Sequence, residues 1–174
     1  MREKRYLKLK KKKIRYFLPF ISAIICMAVI FFFSSQDGEK NNNLSMAVTE
    51  RIAGIIFDNL DIQSDGTQYY VIHNMHIIIR KTAHFALYAI LGAVTYTAAH
   101  SLKKDFKKCF AVSLGFPLIY AAADEIHQIF TDGRTARLFD VFIDELGAAA
   151  GSVITFAVIA CIDYLEKNNG IRKK

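Results

Sequence analysis

Four apolar runs dominate the chain, at residues 16–33, 82–99, 109–130 and 139–162, and each is closed off by polar or charged residues. The first has 18 residues, about 27 Å as a helix, which approaches the ~30 Å hydrocarbon core of a bilayer. The third run turns polar in its last turn and the fourth in its first. Between the first two runs, residues 37–43 (DGEKNNN) read as a polar turn. Leu44, Val48, Ile52, Ile55, Ile56 and Leu60 then recur at helical spacing, with Glu50, Arg51 and Asp58 on other faces. That pattern predicts an amphipathic helix over 44–60, lying on the outer leaflet or over the other helices. Residues 61–67 (DIQSDGT) read as a loop. Residues 69–79 are apolar apart from His73, Asn74 and His76 and run without a break into the second span, so a helix of roughly 30 residues that projects beyond the hydrocarbon is expected. Pro19, one turn into the first span, is tolerated there. Residues 101–108 and 131–134 form short connections, with Gly133 able to take a positive φ. In the last run Gly147 and Gly151 make a GxxxG, a spacing that lets a neighbouring helix approach closely. Packing within the chain is the favoured use, and a homodimer stays open.

Composition and charge turn these runs into a topology. The 174 residues are 53% hydrophobic, with a mean hydropathy of +0.22, too apolar for a soluble domain that also carries a basic tail. The net charge is +7, and its placement matters more than its size. Residues 1–15 hold nine Lys/Arg, 103–108 hold four and 167–174 hold four, so 17 of the 23 basic residues fall in three clusters. Basic clusters beside hydrophobic spans orient a membrane protein with those clusters on the cytoplasmic side, and nucleic acid is not needed to explain them. The expected fold is all-α, an integral membrane bundle of four transmembrane helices with both termini cytoplasmic. Basic tails at 1–15 and 163–174 flank a membrane domain at 16–162, and residues 35–81 and 131–138 face outward. The first run could be taken for a signal peptide. Its length and the absence of a small-x-small site around Ser34-Ser35-Gln36 favour a retained span. Cys26, Cys109 and Cys161 all fall in spans without a CxxC and read as small apolar packing residues rather than zinc ligands.

Seven ionisable residues sit in or against these spans: Arg80, Lys81 and His84 open the second, Asp124 and Glu125 close the third, and Asp140 and Asp144 open the fourth. An ionisable group in a span is costly unless paired or hydrated, and marks a functional site by default. Alternating helix direction brings all seven to the outer end of the bundle. Lys81, His84 and Tyr88 share a helix face, as do Asp124 and Gln128, and as do Asp140, Asp144 and Gly147. Arg134 and Arg137 lie in the connection between the last two spans. The expected outer-face site is therefore Arg80, Lys81, His84, Tyr88, Asp124, Glu125, Gln128, Arg134, Asp140 and Asp144. One reading makes these residues interhelical ties, Arg80 or Lys81 with Asp124 and Arg134 with Asp140 or Asp144. The other makes them a pocket that offers cations and imidazole to an anionic headgroup, and carboxylates to hydroxyl or amine groups. Glu145 is expected on another face, toward lipid headgroups. His84 and His127 with a carboxylate are chemically able to ligate a metal, but their spacing matches no metal motif, so no metal and no cofactor is expected. His84 with Asp124 or Glu125 could move a proton. No nucleophile motif, HExxH or phosphate-cradling glycine loop accompanies them.

At these residues the chain resembles the VanZ-like family of membrane proteins. The resemblance rests on Phe33-Ser34-Ser35-Gln36, Arg80-Lys81-x-x-His84-Phe85-x-x-Tyr88, Asp124-Glu125-x-x-Gln128-x-Phe130, Arg134, and Asp140-Val141-x-x-Asp144-x-x-Gly147-x-x-x-Gly151. Each motif is weak alone, and the ordered set, covering residues 31–151, is specific. Asp144 stands where members of the family often have Asn, which keeps an acceptor and adds a charge. The resemblance implies a four-span membrane domain. The founding member of the family is an accessory in glycopeptide resistance, associated with lower teicoplanin susceptibility, and many relatives have no known antibiotic role.

Three functions remain in competition. The chain is read first as a multi-pass cell-membrane protein of the envelope that binds or shields an outer-leaflet lipid, a lipid-linked cell-wall precursor or a glycopeptide. A membrane enzyme acting on a lipid-linked headgroup and a structural or assembly subunit are the alternatives, and catalysis is not asserted.

Overall fold

The computed structural model describes residues 2–35, 38–57, 65–102, 105–130 and 137–169, with side chains described within 17–35, 46–57, 66–102, 105–130 and 137–169. Five helices follow in order: α1 (Arg2–Ser34), α2 (Gly38–Ile56), α3 (Asp65–Leu102), α4 (Phe106–Gln128) and α5 (Leu138–Asn168). No strand occurs among the described residues. All except α2 are long and apolar enough to cross a membrane, over Phe17–Ser34, Gly66–Leu102, Phe106–Gln128 and Leu138–Asn168. The molecule is an all-helical membrane protein, because only internally hydrogen-bonded segments of this kind survive in hydrocarbon.

α3 is the hub. It touches every other helix, most extensively α5, whereas α1 leans on α3 and barely reaches α4. The α3–α5 contact is backbone against backbone. A Cβ added to Gly92 would lie 2.1 Å from the Ala148 carbonyl oxygen, one on Gly147 2.3 Å from that of Phe85, and one on Gly151 1.8 Å from that of Ala89. The two helices reach this separation only because those three positions lack side chains. The core has two parts. Cys26, Ile30, Tyr88, Leu91 and Ala121 pack together toward one end, and Tyr96, Ala99 and Cys109 toward the other. Large apolar side chains such as Ile24, Ile119, Phe130 and Ile154 are exposed on the outside of the bundle, where lipid rather than protein covers them.

Several boundaries differ from the sequence expectation. α2 begins at Gly38, so most of the polar stretch at 37–43 is helical. Of the two placements expected for its apolar stripe, over the other helices or on the leaflet, the described side chains fit the second better, with Ile52 half-buried. Thr49 and Ala53 are the buried residues, while Val48, Ile55 and Ile56 are exposed. The small side chains permit close approach to α3, and the larger ones are left to the membrane interface. α3 starts at Asp65, which absorbs the end of the expected loop, and runs for 38 residues. It continues to Leu102, which leaves a shorter connection to the next helix than 101–108. The next helix starts at once because the Asp105 carboxylate accepts from the Lys107 and Lys108 backbone N–H groups, capping the first turn. Pro19 lies deep inside α1, and Pro117 lies inside α4. Cys161 is exposed, so it faces away from the packed interior that holds Cys26 and Cys109. The 58–64 and 131–136 connections, with Arg134, lie outside the described residues.

Candidate functional site

The opening turns of α5 meet the middle of α3 and the last turns of α4, and all three stretches are rich in charge. Asp140 and Asp144 are one turn apart on α5, Lys81 and His84 nearly so on α3, and Glu125 and Gln128 on α4, so each helix presents a pair to the same space. The result is a cavity of about 20 Å³ lined by Arg80, Lys81, His84, Glu125, Gln128, Asp140, Ile143 and Asp144. That volume admits about one water molecule, and the lining is polar enough to hold it.

Each lining group is fixed differently. The Lys81 ammonium contacts the Asp140 carboxylate at 2.5 Å and sits 4.9 Å from the Phe139 ring centre, so it is held by an ion pair and an aromatic face together. His84 Nδ1 lies 3.7 Å from Asp144 Oδ1, near enough for charge attraction and too far for a hydrogen bond. Glu125 Oε2 accepts from the Arg137 backbone N–H at 2.8 Å. Arg137 is the residue that starts α5, and its own side chain makes no cap. Glu125 therefore supplies the acceptor at that helix start, where the positive end of the helix dipole favours a carboxylate. Arg80 lines the cavity without an ion pair to any described residue. The lining holds two permanent cations, three carboxylates and one imidazole.

Behind this wall lies a second polar layer. Asp124 is buried. Its Oδ2 accepts from Ser34 Oγ at 2.6 Å and from Gln128 Nε2 at 3.1 Å, and the same amide also reaches Ser34 Oγ at 3.4 Å. This triad joins the end of α1 to α4. One turn earlier on α4, the Tyr120 hydroxyl donates to the Met27 carbonyl at 2.7 Å, a second tie between the same helices. Tyr88 is fully buried, 6.4 Å from the Tyr120 ring, and close enough to Asp144 and Asp124 to feel both charges. The Tyr88 hydroxyl, Asp124 Oδ1 and Asp144 Oδ1 are all buried without a hydrogen bond. Three helices thus each contribute an oxygen with spare capacity to the base of the site, and such groups are costly unless something supplies the missing contact.

Of the ten predicted site residues, seven line the cavity: Arg80, Lys81, His84, Glu125, Gln128, Asp140 and Asp144. Tyr88 and Asp124 lie in the layer behind it, and Arg134 is outside the described residues. The expected pairing of Arg80 or Lys81 with Asp124 does not occur. Lys81 turns to Asp140, because α5 rather than α4 lies against that face of α3. Glu145 does not simply face headgroups, since its Oε2 is buried without a hydrogen bond. The His127 ring packs 4.8 Å from Phe31 and away from His84's cavity, and among the described residues no three His, Cys, Asp or Glu side chains converge as metal ligands would. Sequence reasoning missed Ser34 as a partner of the site. Its signal was present in the Ser34-Ser35 that ends the first apolar run, a small hydroxyl at the depth where Asp124 arrives.

A family model described as VanZ/LLP1 matches residues 19–160, most of the chain and every described residue of the site. No curated protein and no solved structure matches the chain.

Proposed function

The chain belongs to the VanZ/LLP1 family, and from that premise we propose that it binds the polar headgroup of an outer-leaflet lipid or lipid-linked cell-wall precursor at the α3–α4–α5 cavity. The observation that carries the reading is the lining itself, cations and carboxylates from three helices around one small opening. Permanent charge of both signs fits a headgroup that carries an anionic group beside hydroxyl or amine donors better than it fits a bare anion. In this reading Arg80, which has no ion pair among the described residues, takes the anionic group. Glu125 and Asp144 accept from hydroxyl or amine hydrogens. Since the cavity holds little more than one water, a headgroup enters by prising Lys81 from Asp140, and Lys81 then turns to the ligand. By covering a precursor at the outer surface of the cell membrane, such a protein would lower susceptibility to teicoplanin-type glycopeptides.

One observation favours a second reading. His84 faces Asp144 as the imidazole of an acid–base pair faces its orienting carboxylate, so the same site could transfer a proton to a lipid-linked headgroup during its modification. A comparison of membrane lipids and precursors between a deletion strain and its parent separates the two. Binding predicts an unchanged headgroup inventory with altered teicoplanin sensitivity, and catalysis predicts a missing or accumulated headgroup. Direct binding is tested by native mass spectrometry of the purified chain with envelope lipids. Glu125→Gln and Arg80→Gln should lose the retained lipid while eluting as folded protein. Retention by both variants would sink the binding reading.

A further inference from the structure

At the other end of the bundle, about 16 Å along α3 from His84 to Thr95, lies a much larger cavity of about 320 Å³. Its floor is Thr95, Ala98 and Ala99, three small residues of α3. Its walls are Phe20 and Met27 of α1 on one side and Val112 and Phe116 of α4 on the other. Among the described residues α1 is tied to α4 through Met27 and Ser34, and below Met27 it stands away from α4. Thr95 adds no polarity, since its hydroxyl donates back to the Leu91 carbonyl at 2.7 Å. An apolar space of this kind does not hold water. Among the described residues the one charged group on the lining is Lys108, an exposed residue in the first turn of α4.

We infer that this groove binds one acyl chain of an anionic phospholipid, with the Lys108 ammonium on the phosphate. Length supports the chain. Lys108 to Phe116 spans about 12 Å of helix, close to the ~15 Å of hydrocarbon in one leaflet. Volume supports a single chain, for 320 Å³ lies at the small end of ligand sites, which run from about 300 to 1,000 Å³. Charge supports the headgroup. Lys108 stands at the mouth of a slot with no carboxylate on its lining among the described residues, and its methylene stem can lie along the apolar wall while the ammonium reaches the interface. The groove shares no residue with the α3–α4–α5 cavity, so this inference does not depend on what binds there.

The test uses the full chain in detergent, with dioleoyl phosphatidylglycerol or dioleoyl phosphatidylcholine added and bound lipid counted by native mass spectrometry. Wild type should retain phosphatidylglycerol about fivefold over phosphatidylcholine, the preference expected of one lysine at a headgroup. Lys108→Gln should abolish that preference, while Lys107→Gln, beside it and off the groove, should keep it. Ala98→Leu, which fills the floor, should lower retention of both lipids. Equal retention of the two lipids by wild type would overturn the inference, as would an undiminished preference in Lys108→Gln. A lipid-free dimer would overturn it too, by assigning the groove to a second copy of the chain.

Discussion

Asp124 and Asp140 are both membrane carboxylates, and they differ in what faces them. Asp140 meets an ammonium, whereas Asp124 meets a hydroxyl and an amide. Asp124→Asn keeps an acceptor for Ser34, so we expect it to fold and melt like wild type in detergent. Ser34→Ala removes the shorter of the two bonds to a buried carboxylate and should cost about 1–3 kcal/mol, read as a lower unfolding temperature. Asp140→Asn should cost only about 1 kcal/mol, since both partners are roughly a quarter exposed, at 24% and 21%. A large loss from Asp124→Asn would mean that its charge has a cationic partner beyond the described residues. The ionisable members of this site could be read from sequence, because charge in an apolar run stands out. Their pairings could not. Which carboxylate Lys81 meets depends on how α5 is rotated against α3, and no spacing within either segment encodes that. Ser34 and Asp124 are 90 residues apart, and only the fold brings them together.

At the scale of helices, glycine positions separate contact from open space. Gly151→Ala and Gly92→Ala should each destabilise the bundle by about 1–3 kcal/mol or more, because the new methyl meets a backbone carbonyl that cannot move aside. Gly54→Ala and Gly115→Ala have nothing within 4 Å of the added carbon and should be neutral or stabilising by about 0.5–1 kcal/mol. Detergent melts of the four variants check both halves. Equal behaviour of all four would place the α3–α5 contact elsewhere. The Gly147–Gly151 spacing was legible because it repeats at one helical turn. Gly92 was not, being a lone glycine whose only distinction is the α5 backbone opposite it. α2 was legible as a helix, and the sequence left open whether its stripe lies on the leaflet or over the other helices. Its stripe of Val48, Ile55 and Ile56 faces away from protein, as an interfacial helix permits, while a sequence pattern records only that a stripe exists.

For the whole molecule, four apolar runs and their basic flanks made the number of spans and the membrane class readable. The groove beside Ala98 was not, because a gap between helices leaves no mark on any one of them. The same flanks predict orientation. A reporter fused after Lys174, or inserted between Lys103 and Lys104, should be cytoplasmic, and one inserted between Asp61 and Gly66 should be external. An external C-terminus would overturn that arrangement. The long separation of the polar ties also bears on how the protein is made. Lys81 waits for a carboxylate 59 residues further along, and the end of α1 waits for Asp124. While the ribosome is still working, α3 therefore enters the bilayer with its ammonium uncompensated, and only the arrival of α5 completes the set. Chains that stop before Leu138 should be recognised as unfinished and cleared by membrane proteases, so synthesis of the last helix acts as the checkpoint for the whole protein.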